Sequence, residues 1–121
     1  MSGIERVTRP LLDVLEEFFQ AHLRGEELHG WALVHSTKRA GPTVYRVLDR
    51  LEDAGWVAGR WEQHNPDPSR PRRRFYQLTG VGVTEARLLL GERRPRALQP
   101  AARPLPGTAA GGWSLRRAEG R

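Results

Sequence analysis

The chain has 121 residues, 38% hydrophobic and 28% charged, enough for one compact core and not for a second. It contains no cysteine, which excludes a disulfide framework, a thiolate metal site and a cysteine nucleophile. The formal net charge is +6 but unevenly placed: residues 1–54 hold seven basic and nine acidic side chains, a balance of −2, while residues 55–121 hold thirteen and five, a balance of +8.

Thr8-Arg9-Pro10 reads as a helix start, with a capping hydroxyl and a proline in the first turn. From Leu11 to Leu23 the apolar positions cover about half of the helix circumference. That breadth suits either a deeply buried helix or one with a core flank and a partner flank. Arg24-Gly25 ends this helix, and a short second one is expected over Leu28–Thr37 with His29 as a possible cap. Lys38–Gly41 is the turn, and Gly41-Pro42 opens a third helix running to Ala54, with Gly55 beyond its end.

Trp56–Trp61 is rich in strand-favouring residues and is expected to be a strand, as is Arg74–Leu78. Between them, Asn65, Pro66, Pro68 and Pro71 make a loop. Thr79 caps a fourth helix from Gly80 to about Leu90. From Gly91 onward, prolines, glycines and scattered arginines without any period predict a disordered tail over residues 91–121, in which Trp113 has no assignable partner. The expected fold is therefore mainly α with a small β-hairpin. Three helices, a two-stranded wing and a fourth helix over residues 8–90 form the winged helix-turn-helix arrangement.

The third helix carries the first candidate surface. Val44, Val47, Leu48 and Leu51 form a core stripe, while Thr43, Arg46 and Arg50 gather on the opposite side. A hydroxyl and two guanidiniums near a helix N-terminus suit the major groove, where arginine pairs bidentately with guanine. Asp49 and Asp53 oppose this, since carboxylates repel phosphates, but they lie toward the other end of the helix. Tyr45, on the flank, could place its hydroxyl on a backbone phosphate or simply pack.

The second candidate surface is the loop cluster Arg70, Arg72, Arg73 and Arg74, with His64 nearby and Arg60 on the preceding strand. Nineteen of the twenty basic residues are arginine, whose planar fork fits phosphate oxygens. Each arginine that neutralises a phosphate releases counterions, so binding should weaken steeply with salt. His22, His29, His35 and His64 lack metal-ligand spacing, and no phosphate-binding glycine loop or nucleophile motif is present, so neither a cofactor nor an enzyme is expected. No apolar run approaches the roughly 20 residues of a membrane span and no secretory signal pattern is visible, so a cytoplasmic protein is expected.

Several strings resemble the PadR-like family of regulators. They are His29-Gly30-Trp31, the run Gly41-Pro42-Thr43-Val44-Tyr45-Arg46-Val47-Leu48 continuing as Arg50-Leu51-Glu52 and Gly55, and Arg73–Thr79 with Gly82. The resemblance implies a homodimeric, usually repressing transcription factor that binds double-stranded DNA. It implies DNA contacts by Tyr45, Arg46 and Arg50, with the arginines around residue 73 on phosphate. It also implies dimerisation through the first and last helices, here Leu11, Leu15, Phe18, Phe19, Leu88 and Leu89, near which some members bind small hydrophobic effectors. The departure is at the C-terminus, where Gly91 and Pro95 replace the family's usual long final helix. The competing reading is a winged helix used as a protein-interaction module, its basic wing on an acidic partner. Binding of RNA or a single strand is disfavoured, since few aromatics interleave the basic cluster.

Overall fold

The structure, a computed structural model, describes residues 4–63, 67 and 69–101. Helix α1 spans Arg9–Arg24, a two-residue strand β1 spans Leu28–His29, and helices α2 and α3 span Gly30–Thr37 and Gly41–Asp53. Strands β2 (Val57–Trp61) and β3 (Arg74–Leu78) form the hairpin, followed by α4 (Gly80–Arg93) and a 3₁₀ turn, η1 (Pro95–Leu98). The sheet is antiparallel in the order β1-β3-β2, with Val57 opposite Leu78 and Trp61 opposite Arg74. Three helices followed by a wing make this a winged helix.

Local chemistry explains most boundaries. Thr8 Oγ1 accepts from the Leu11 N–H at 3.2 Å, and Thr79 Oγ1 accepts from the Gly82 N–H at 2.9 Å, so both expected caps are formed. The start of the second helix differs from expectation. Leu28 and His29 pair with Tyr76 and Phe75 as a third strand, and only then does the chain turn helical. His29 serves both elements, its Nδ1 accepting from the Ala32 N–H at 3.3 Å.

The core is built on α1. Leu11, Val14, Leu15, Phe18 and Phe19 are at most 1% exposed and pack with Leu33, Val44, Leu48, Leu51, Trp56, Ala86 and Leu90. Each fully buried large apolar side chain contributes about 1.5–3 kcal/mol relative to exposure. The half-circumference stripe is thus buried inside this one chain except at its C-terminal end, where Leu23 is 42% exposed. Leu11, Leu15, Phe18 and Phe19, expected at a dimer interface, are instead core residues covered by α2, α3, α4 and η1. Of the other two, Leu89 is half-buried against the core and Leu88 is 66% exposed.

The end of the fold also lies further on than the sequence suggests. Helix α4 continues past Leu90 and Gly91 to Arg93, and Pro95 opens η1, where a missing N–H does no harm. Ala97 and Leu98 are half-buried against the core. The Gln20 side chain donates to the Ala97 and Gln99 carbonyls at 2.9 and 2.7 Å and accepts from the Ala101 N–H at 2.9 Å. Chain packed on the domain therefore extends beyond the expected boundary at residue 91, through at least Ala101. Residues 102–121, including Trp113, lie outside the described residues, as does His64.

One polar cluster ties both ends of the domain to the helix-turn-helix. Asp13 of α1 receives Arg39 from the turn before α3 and Arg94 from the end of α4, each at 2.7 Å, and Arg94 also reaches Glu16. Burial alone would raise the Asp13 carboxyl, but hydrogen bonds from Arg94 and Arg39 outweigh it and hold it below its ordinary value.

Candidate nucleic-acid interface

The sequence of α3 divides it into two sides, and packing keeps them apart. Val44, Val47, Leu48 and Leu51 are buried, whereas Arg46 is exposed, Tyr45 is 46% exposed, and Thr43 and Arg50 are half-exposed. The expected trio Thr43, Arg46 and Arg50 lines one groove of about 420 Å³, shared with Arg6, Thr8 and Pro10 from the start of the chain. Tyr45 points the other way, into a groove of about 600 Å³ toward the wing, where Trp31, Trp61, Arg72, Arg73 and Tyr76 are among its neighbours. The exposed helix face thus runs as a ridge between two channels.

Tyr45 is seated by a residue from a different motif. A Cβ on Gly30 would fall 2.5–2.7 Å from the Tyr45 hydroxyl and ring edge, so the tyrosine lies where only glycine leaves room. The His-Gly-aromatic string and the Gly-x-x-Tyr string are therefore two halves of one contact. The neighbouring His29 is held neutral: burial, then the Arg73 charge, lowers its affinity for a proton. A neutral ring is what its Nδ1 needs to accept the capping hydrogen bond.

The four wing arginines expected to act together do not have equal freedom. Arg70 forms a two-pronged pair with Glu62, both contacts at 3.1 Å. Arg74 runs back to Glu52 on α3 at 2.7 Å, its guanidinium 5.3 Å from the Trp61 ring centre and 5.6 Å from that of Tyr76. Arg72 donates to the Glu62 main-chain carbonyl at 2.8 and 2.6 Å, which orients its guanidinium without neutralising it. Arg73 is exposed and contributes its backbone N–H to Glu62 at 3.1 Å. Among the described residues, Arg72 and Arg73 are the wing arginines left to meet an external anion.

Glu62 organises this loop. Hydrogen bonds from Arg70 and from the Arg73 backbone pull its carboxyl down to about 2. Exposed ion pairs of this kind add little to stability, so their effect is on position. Arg74 is a positioning group in the same sense: it joins the wing to α3. Gly59 gives it passage, since a Cβ there would lie 2.7 Å from the guanidinium.

Arg60, expected on the same basic edge, is placed elsewhere. It pairs with Glu27 at 2.5 Å and lies over the Phe75 ring at 5.2 Å, because alternate strand residues face opposite sides. The sequence reading missed Trp61, Trp31, Glu62 and Glu52 as interface components. Trp61 carried a signal, an aromatic at the end of the expected strand next to the arginine-bearing loop, but its pairing with Arg74 depends on the register; the carboxylates gave none, being far from their partners in sequence. Among the described residues, no group of three or more His, Asp or Glu side chains could hold a metal ion, and no helix is long and apolar enough to cross a membrane.

A winged helix with arginines on the exposed side of its third helix and cations at the wing has the build of a DNA-binding protein of the helix-turn-helix class. The model of the PadR-like transcriptional regulator family matches residues 21–88, more than half of the chain, and the chain belongs to that family. The fold is similar to that of smu.1704 from Streptococcus mutans UA159, with a TM-score of 0.56 and 23% identity over 77% of this chain and 86% of that one. A PadR family transcription regulator from hypervirulent Clostridium difficile R20291 matches with a TM-score of 0.54 and 19% identity, over 70% and 88% of the two chains. MepR of S. aureus, solved bound to ethidium bromide, matches at 0.52 and 20% identity, covering 78% of this chain and 64% of MepR. No curated protein matches the chain.

Proposed function

We propose that this regulator is a sequence-specific repressor that binds duplex DNA as a homodimer. The α3 ridge enters the major groove, Thr43 and Arg46 facing base edges with Arg50 beside them. Tyr45, Arg72 and Arg73 meet phosphates along the wing-side channel, and Arg70 and Arg74 shape the wing that carries them. The observation that carries this reading is the Arg46 side chain, which is exposed on a helix whose other side is fully buried and has no ion-pair partner among the described residues. Asp49, three residues on, is at a spacing where a helix-surface pair can form, and among the described residues it does not pair with Arg46. Leu88, exposed on α4, is the member of the expected dimer surface still open to a second copy.

Selection of bound sequences from random duplex DNA tests the proposal. A palindromic motif is expected, because a two-fold dimer reads two inverted half-sites. No enrichment of any motif would overturn sequence-specific recognition and favour an acidic protein partner. Enrichment of a single, non-repeated half-site would overturn the homodimer.

A further inference from the structure

The segment Ile4–Thr8, which precedes α1, is held against the exposed side of α3. Ile4 and Val7 are half-buried against the core, Thr8 caps α1, and the Arg50 guanidinium donates to the Arg6 main-chain carbonyl. Between segment and helix lies the 420 Å³ groove, with Arg6, Thr8 and Pro10 on one wall and Thr43, Arg46 and Arg50 on the other. Among the described residues, three arginines line this groove and no Asp or Glu does. Arg6 is exposed, as is Arg9 at the start of α1, and neither has an ion-pair partner among the described residues. Asp49 and Asp53 on α3 lie outside the groove, so the like charges within it repel one another and favour an anion from outside.

Geometry says which anion. A helix with its side chains is about 10–12 Å across and the major groove of B-DNA is about 12 Å wide, so a helix laid in it lies close to both sugar-phosphate ridges. The wing-side channel faces one ridge. The Ile4–Thr8 segment lies across α3 from it and faces the other. We infer that this segment is a second phosphate-binding arm, with Arg6 contacting the DNA backbone on the ridge away from the wing, and that Arg50 is its positioning residue and not a base reader. This rests on the docking proposed above. Arg50 fixes the arm through the Arg6 carbonyl, which leaves base reading to Thr43 and Arg46.

The test uses the full chain, a duplex carrying the selected motif and a random-sequence duplex of equal length, with affinity measured across salt concentrations. Arg6→Ala is expected to weaken both duplexes by the same several-fold factor and to reduce the salt slope by about one unit. Arg50→Ala is expected to do the same, and the double variant to lose no more than either single one. Arg50→Ala narrowing the gap between motif and random duplex, as Arg46→Ala should, would overturn the positioning role. Arg6→Ala leaving affinity and slope unchanged while Arg72→Ala reduces both would overturn the arm and leave the docking intact. No effect of Arg46→Ala, Arg72→Ala or Arg6→Ala would overturn the docking itself, and the arm with it. Arg6 is exposed, so its replacement does not threaten the fold, and Arg6→Glu should deepen the loss on both duplexes.

Discussion

The exposed side of α3 and the wing are both arginine-rich, yet the fold treats their charges in opposite ways. On the wing, carboxylates from two elements engage Arg70 and Arg74 and leave Arg72 and Arg73 available. On α3, Arg46 has no carboxylate partner among the described residues, and Arg50 is engaged by a carbonyl, which keeps its charge intact. The difference follows from the two tasks. A loop of clustered cations would splay apart unless some were neutralised, so part of the wing's charge holds its shape. A helix is already rigid through its backbone and can present charge without internal compensation.

The largest expected effect breaks both regions together. A Cβ on Gly82 would fall 1.8 Å from the Trp56 carbonyl oxygen, a backbone atom at the base of the wing that cannot step aside. Gly82→Ala should cost about 3 kcal/mol in denaturant unfolding, in line with overpacked sites, and weaken motif and random duplex alike. Next in size, Arg46→Ala should lose about 2 kcal/mol on the motif duplex, within the range of one bidentate base contact, and far less on random duplex. Equal loss on both would place Arg46 on phosphate. Smaller again is the contrast within the wing. Arg72→Ala should lower the salt slope by about one unit, whereas Arg70→Ala, removing a cation already paired, should lower it less. Equal slopes would erase the distinction drawn between them.

The smallest effect is a pH dependence. Glu62 is lowered from an ordinary 4.5 to about 2, so its clasp on Arg70 and the Arg73 amide is fully present above about 4.5 and is lost as pH falls through about 2. The Arg73 amide resonance should follow that titration, and in Glu62→Gln it should not. His29 behaves with the same sign. Its lowered proton affinity means the α2 cap is intact above the ordinary histidine range and fails as pH falls through the lowered value.

Much of the fold was legible in the sequence because the signals were local. Thr8, Thr79, Pro42 and the Val44–Leu51 stripe each act within a turn or two of the chain, and the structure places them where their chemistry requires. The third helix's division into a buried and an exposed side follows from residue spacing alone. The errors arose where one segment decides the fate of another. The breadth of the α1 stripe was correct, but whether a partner or the chain's own α4 and η1 covers it depends on the path of residues 91–98, which looked structureless because proline and glycine conceal a 3₁₀ turn.

The same division runs through the candidate interface. By itself the sequence determined which residues carry positive charge and which helix side bears Arg46, because composition and a 3.6-residue period suffice for that. Only the tertiary structure decided which charges remain available, since Glu62, Glu52 and Glu27 select their arginines across 8, 22 and 33 residues of chain. It likewise decided that Gly30 receives Tyr45 and that Arg50 faces the Arg6 carbonyl. Ion pairing and close packing depend on distance in space, and distance in space is set by the core that brings α1, α3 and the hairpin together.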